Sequence, residues 1–240
     1  MNFLHKAFLR AALLNALVAA PLAHAGRPQS TDDAATVDAQ TCQFEAWVEL
    51  AGSAGTAVLA PACALASGLE LDAGFAQPRP HDVVLVQAGL ALKWVPASWK
   101  LDSGPGELSL GLKLSRDWAK PVGAAWQAAQ TSLLGLATQK LGDAWALHVN
   151  AGVAGHSATA TRAILLNLAL AWTPADAWLL FAEVQGNNKH AVFGGTVSSL
   201  GARWWLLKDR LGLDLTASRQ SGTGGPTRWG LGLGWYGIGG

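Results

Sequence analysis

Hydrophobic and polar residues alternate with a period of two along most of this chain from about residue 41 onward. Over residues 41–50, Phe44, Ala46, Val48 and Leu50 fall on one face, and Gln43, Glu45, Trp47 and Glu49 on the other. Leu69, Leu71, Ala73 and Phe75 stand opposite Glu70, Asp72 and Gly74. Val84, Val86, Ala88, Leu90, Leu92 and Trp94 stand opposite Gln87, Gly89 and Lys93. Leu108, Leu110, Leu112 and Leu114 alternate with Ser109, Gly111, Lys113 and Ser115. Successive side chains of a pleated strand point to opposite faces, so each stretch predicts a strand between two unlike environments.

The second half reads the same way. Trp145, Leu147, Val149 and Ala151 face away from His148, Asn150 and Gly152. Ile164, Leu166, Leu168, Leu170 and Trp172 are set against Arg162 and Asn167, and Trp178, Leu180 and Ala182 against Phe181 and Glu183. Leu200, Ala202, Trp204 and Leu206 oppose Gly201 and Arg203; Leu211, Leu213 and Leu215 oppose Gly212, Asp214 and Thr216. The last strand sets Trp229, Leu231, Leu233 and Trp235 against Arg228, Gly230, Gly232, Gly234 and Tyr236. Residues 56–66 and 126–138 alternate poorly and are assigned as strands from their position and length. The whole predicts an all-β protein over residues 41–240: a transmembrane, antiparallel, up-and-down β-barrel of about twelve strands.

Connections fit that reading. The links at residues 67–68, 173–176 and 208–210 are short and fall on one side. Those at 186–196 and 219–227 are longer and fall on the other, as in barrels with both termini in the periplasm. The link at 96–106 is long on the short side. Seven tryptophans, Trp94, Trp145, Trp172, Trp178, Trp204, Trp229 and Trp235, sit near strand ends on the apolar face, the level of a membrane that amphipathic rings favour. The competing architecture is a periplasmic β-sandwich, whose inner face would carry bulky residues from both sheets. Here the face opposite the Leu and Trp stripe is Gly, Ser and charge, which suits a watery lumen.

Composition agrees. Only 14% of residues are charged, with 28 Gly and 12 Trp, where a soluble domain has about 25% charged residues. Residues 1–25 read as a cleaved signal peptide. Lys6 and Arg10 mark its basic start, residues 11–22 its apolar core, and Ala23-His24-Ala25 its cleavage site. Residues 26–40 form a polar leader. The chain has 17 basic and 16 acidic residues. Losing Lys6 and Arg10 leaves 15 against 16, a balance that argues against nucleic acid as a partner.

Two cysteines are present. A two-residue turn at Gly52-Ser53 would set Cys42 directly opposite Cys63, within disulfide reach in an oxidising compartment. Pro61 inside that strand is expected to force a bulge and disturb the register. The lumen face would carry Glu45, Glu49, Glu70, Asp72, Lys93, Lys113, His148, Arg162, Glu183, Arg203, Asp214 and Arg228. They read either as a polar passage for a small solute or as charges that pair across strands and plug a narrow barrel. Closure of the barrel would bring Arg228 beside Glu45 or Glu49.

No constellation of catalytic residues stands out. His156 and Ser157 are neighbours and so point to opposite faces; His148 and Asn150 share a face without a lipid-side serine. There is no Gly-rich phosphate loop and no metal-spaced cluster, so no cofactor or metal is expected.

The N-terminal third resembles a known group. Arg27-Pro28, Ser30-Thr31-Asp32-Asp33-Ala34, Cys42-Gln43-Phe44-Glu45-Ala46-Trp47, Pro61-Ala62-Cys63 and Leu69-Glu70-Leu71 are similar in order and spacing to proteobacterial outer-membrane proteins of unknown role. These in turn resemble the barrel proteins associated with the MetA pathway of phenol degradation. The resemblance implies an outer-membrane barrel and passage of small organic compounds, and brings no catalytic residues.

The expectation is therefore a transporter-like barrel in the bacterial outer membrane. Its partners would be outer-membrane lipid, periplasmic chaperones, the barrel-assembly machinery and a small-molecule solute. The other readings are a structural barrel with a charge-plugged lumen and, third, a lipid-modifying enzyme.

Overall fold

The computed structural model describes residues 29–81, 83–104, 106–221 and 225–240; the signal peptide and its cleavage site lie outside them. The strands are β1 (Cys42–Ala51), β2 (Ala54–Ala66), β3 (Leu69–Arg79), β4 (Val84–Trp94), β5 (Lys100–Ser103), β6 (Gly106–Pro121), β7 (Gln127–Leu141), β8 (Trp145–His156), β9 (Thr161–Ala175), β10 (Trp178–Asn187), β11 (Val197–Leu207), β12 (Leu211–Gln220) and β13 (Arg228–Ile238). Each long strand pairs antiparallel with its neighbours, β1 pairs with β13 and β4 with β6. Four-residue β5 pairs only with β6. The other twelve strands close a barrel, which leaves no open edge.

The outer face carries a broad apolar band. Leu166, Leu200 and Leu231 are exposed, as are Trp94, Trp145, Trp172, Trp178, Trp204, Trp229 and Trp235. Trp145 stacks on Trp172 and Trp178 on Trp204. The long link at 96–106 makes a 3-10 turn (Ala97–Trp99) and then β5, so it extends the sheet rather than forming a free loop. Trp99 packs on Trp94 with ring centroids 4.8 Å apart.

Several sequence expectations are corrected. Arg162 is not a lumen residue: it shares parity with Ile164 and Leu166 and is exposed on the outer face. The ladder slips between Val84 and Val86, and Val84 turns inward to 1% exposure instead of facing lipid. Pro61 leaves the β1–β2 register intact, with Phe44 opposite Pro61 and Cys42 opposite Cys63; the two cysteines form a disulfide.

The two poorly alternating segments are strands β2 and β7, and the reason lies inside the barrel. Val58, Ala60, Ala76 and Trp47 form an apolar cluster on the inner wall. On β7, Leu136 packs with Val95 and Ala34, and Leu134 joins them. Ala34 belongs to the leader, so β7 loses its alternation where its inner face meets another piece of chain.

Candidate functional site

Residues 29–37 of the leader run inside the barrel. At its C-terminal end the leader is tied to β2, where Ala64 N–H donates to the Thr41 carbonyl at 3.0 Å. From there it crosses the lumen in irregular conformation. Backbone groups without a ladder need other partners once buried, and strand side chains supply them. Val37 N–H donates to Glu70 Oε2 at 2.6 Å, and Ala34 N–H to Thr138 Oγ1 at 2.8 Å. Asp32 N–H donates to Asn150 Oδ1, and Asn150 Nδ2 returns a bond to the Asp32 carbonyl, both at 2.8 Å. Glu183 accepts from Ser30 N–H at 3.0 Å, Thr31 N–H at 2.8 Å and the Thr31 hydroxyl at 2.9 Å. Residues 30–37 are thus held from β3 on one wall to β10 on the other, and Thr31, Asp32 and Ala34 are buried.

Charge follows the same path. Lys93 and Lys113 are directly opposite each other on β4 and β6, an arrangement that repels unless anions lie between. Lys113 Nζ is 2.9 Å from Asp32 and 2.9 Å from Asp72; Lys93 Nζ is 2.9 Å from Asp33 and 3.4 Å from Asp32. The acids are thus drawn from both the strands and the leader.

A second cluster stands on β1 and β11–β13. Arg203 holds Asp214 with two bonds, at 2.7 and 2.8 Å, and lies 3.6 Å from Glu45. Its guanidinium sits over the Trp205 and Tyr236 rings at 4.9 and 4.8 Å, and the Tyr236 hydroxyl donates to Glu45. Inner-face glycines make room for these large groups. A Cβ at Gly234 would collide with the Tyr236 hydroxyl, and one at Gly212 would meet the Arg203 side chain at 2.9 Å.

The leader divides the lumen. On the side of the C-terminus is an inner cavity of 670 Å³ lined by Asp33, Glu70, Lys93, His148, Arg203 and Tyr236. On the other side is one of 220 Å³ lined by Asp32, Glu49, Lys113, Gln130, Asn167 and Arg228. The outer mouth is narrowed by a link that forms a helical turn, α1 (His190–Phe193), and packs Phe193 against Ala154 and Ala163.

Of the lumen residues expected from sequence, Glu45, Glu70, Asp72, Lys93, Lys113, His148, Glu183, Arg203 and Asp214 are buried inside. Glu49 and Arg228 line the outer cavity, and Arg162 lies outside. Glu45 meets Arg203 and Tyr236 rather than Arg228. His148 bonds Thr138 at 2.9 Å inside the barrel; His156 bonds Thr159 and packs edge-on against Phe193 at the outer mouth. Sequence reasoning missed the leader's own role. The signal was there in Ser30-Thr31-Asp32-Asp33, two hydroxyls and two acids in a row on a chain with few charges.

A family model described as "Uncharacterised conserved protein UCP029691" matches residues 13–234. Among solved structures, the KdgM porin in complex with disordered oligogalacturonate superposes with a TM-score of 0.62 at 9% identity, over 80% of this chain and 98% of that one. The NanC porin gives 0.60 at 4%, over 81% and 98%. The COG4313 outer-membrane channel from Pseudomonas putida F1 gives 0.54 at 12%, over 85% and 97%. No curated protein matches the sequence. At these identities the likeness is one of fold, the closed antiparallel barrel of bacterial outer-membrane proteins.

Proposed function

We propose that this chain, which belongs to the UCP029691 family of uncharacterised conserved proteins, is an outer-membrane channel for small polar solutes whose lumen its own leader holds shut. One observation carries the reading. The barrier at mid-lumen is a separate segment, residues 30–37, and not side chains of the wall alone, and it has a cavity on either side. Its bonds are polar and made to side chains, so its release leaves the strand ladders untouched. The folds of the KdgM, NanC and COG4313 barrels, which are porins and a channel by name, support a conducting role. The N-terminal third resembles outer-membrane proteins of unknown role, themselves similar to barrels associated with the MetA pathway of phenol degradation, and this supports a small organic solute. Partners in this reading are outer-membrane lipid and, during biogenesis, periplasmic chaperones and the barrel-assembly machinery.

Planar-bilayer recording tests it. The full chain should be silent or open rarely. A variant lacking residues 29–37, which keeps every strand, should give steady ohmic steps. If the shortened barrel inserts and stays silent, the protein is a structural barrel with a filled lumen.

A further inference from the structure

We propose that Lys93 and Lys113 form an anion site in the lumen, that Asp32 and Asp33 of the leader occupy it in place of a solute, and that the solute is a small dicarboxylate. This rests on the reading of the leader as a removable barrier.

Both lysine ammoniums are buried, at 4% and 3% exposure, and they face each other across adjacent strands. The strand acids nearby, Glu70 and Asp72, already match them in number. Yet Lys93 turns to Asp33 and Asp32, Lys113 divides itself between Asp32 and Asp72, and Glu70 accepts a backbone N–H of the leader. The pair thus accepts two incoming carboxylates on top of its resident ones. Both lysines reach the Asp32 carboxylate and Lys93 also reaches that of Asp33, so the pair takes two carboxylates side by side, as a small dicarboxylate would supply them.

Access runs from both sides. Lys113 and Asp32 line the outer cavity, while Lys93 and Asp33 line the inner one. An anion entering the outer cavity meets Lys113 first, where it competes with Asp32. Displacing Asp32 also loosens its contact with Lys93, the second half of the same site. Solute arrival and opening are then one event.

The test uses the full chain refolded in lipid, with a spin label on a Thr36→Cys variant; the native cysteines are paired and leave Cys42 and Cys63 unlabelled. Succinate should narrow the spectrum saturably, and sodium chloride at equal ionic strength should not. A second, unlabelled variant, Asp32→Asn/Asp33→Asn, should bind succinate about 10- to 100-fold tighter by calorimetry, the gain expected if the leader fills the site in roughly 90–99% of molecules. Equal narrowing by chloride, or unchanged affinity in the aspartate variant, overturns the anion site. The bilayer recording separates the two readings. A shortened barrel that conducts without succinate binding leaves the channel and removes the site. A silent barrel in which succinate still frees the label does the reverse.

Discussion

Asn150 grips the backbone of Asp32 with both ends of its amide, accepting the N–H and donating to the carbonyl of the same residue at 2.8 Å each. A buried polar group deprived of its partner costs about 1–3 kcal/mol. Asn150→Ala should therefore weaken leader docking by about 2 kcal/mol, roughly a 30-fold shift toward the undocked state. Amide hydrogen exchange at residues 30–34 reads this directly. Protection unchanged from the parent would mean that the amide does not hold the leader.

Facing is tested at neighbouring positions on β9. Leu166 is 59% exposed on the outer face, and Asn167 lines the outer cavity. Arginine on the lipid face at mid-depth costs about 2–4 kcal/mol, whereas lumen positions tolerate charge. Leu166→Arg should lose that much stability in liposomes, and Asn167→Arg less than about 1 kcal/mol. Brominated lipid should quench Trp172 and spare Trp205. The reverse order of stabilities contradicts the facing.

Arg203 tests the second cluster. Removing one member of a buried ion pair leaves the others uncompensated, at a cost of about 3–5 kcal/mol. Arg203→Gln strands Asp214 and Glu45 and should destabilise the barrel toward the lower end of that range, since the inner cavity admits water. Arg203→Lys keeps the charge but loses the two-point fork, and should fall between. Denaturant titration in lipid distinguishes them. Equal stability of all three would show that the cluster contributes nothing net.

The disulfide joins β1 to β2 across 21 positions of sequence. Non-reducing mass analysis should show two hydrogens fewer than the dithiol. By chain-entropy arguments the bond stabilises by about 3 kcal/mol, so Cys42→Ala/Cys63→Ala should lose about that much in the same titration. A dithiol mass in exported protein contradicts the pairing.

Much of the barrel was legible because lipid on one side and polar groups on the other impose a strict period of two. It failed where the inner face did not meet water. Leu134 and Leu136 point inward onto Ala34 and Val95, so β7 carries leucine on both faces and reads as noise. Val84 was misplaced because a slip in the ladder reverses parity locally. Arg162 was misplaced by its charge, although its parity with Ile164 put it outside from the start. The glycine stripe of β13 fits a watery lumen in the sequence; in the structure Tyr236 and Arg203 from the neighbouring wall fill the space beside it. The leader was opaque for another reason. Its contacts join residues far apart in sequence, from Val37 with Glu70, 33 positions away, to Thr31 with Glu183, 152 away, and no periodicity records such a pairing.

The leader is continuous with β1, and β1 is fastened at its start by the Cys42–Cys63 bond. A segment released from the lumen therefore does not diffuse away. Its local concentration at its own docking groups is set by tether length and is of millimolar order for a short flexible link. Reclosure is unimolecular and independent of how many barrels a membrane holds. In the proposed channel, a solute that holds the passage open must outcompete that fixed local concentration, which would put a floor under the external concentration at which the barrel responds.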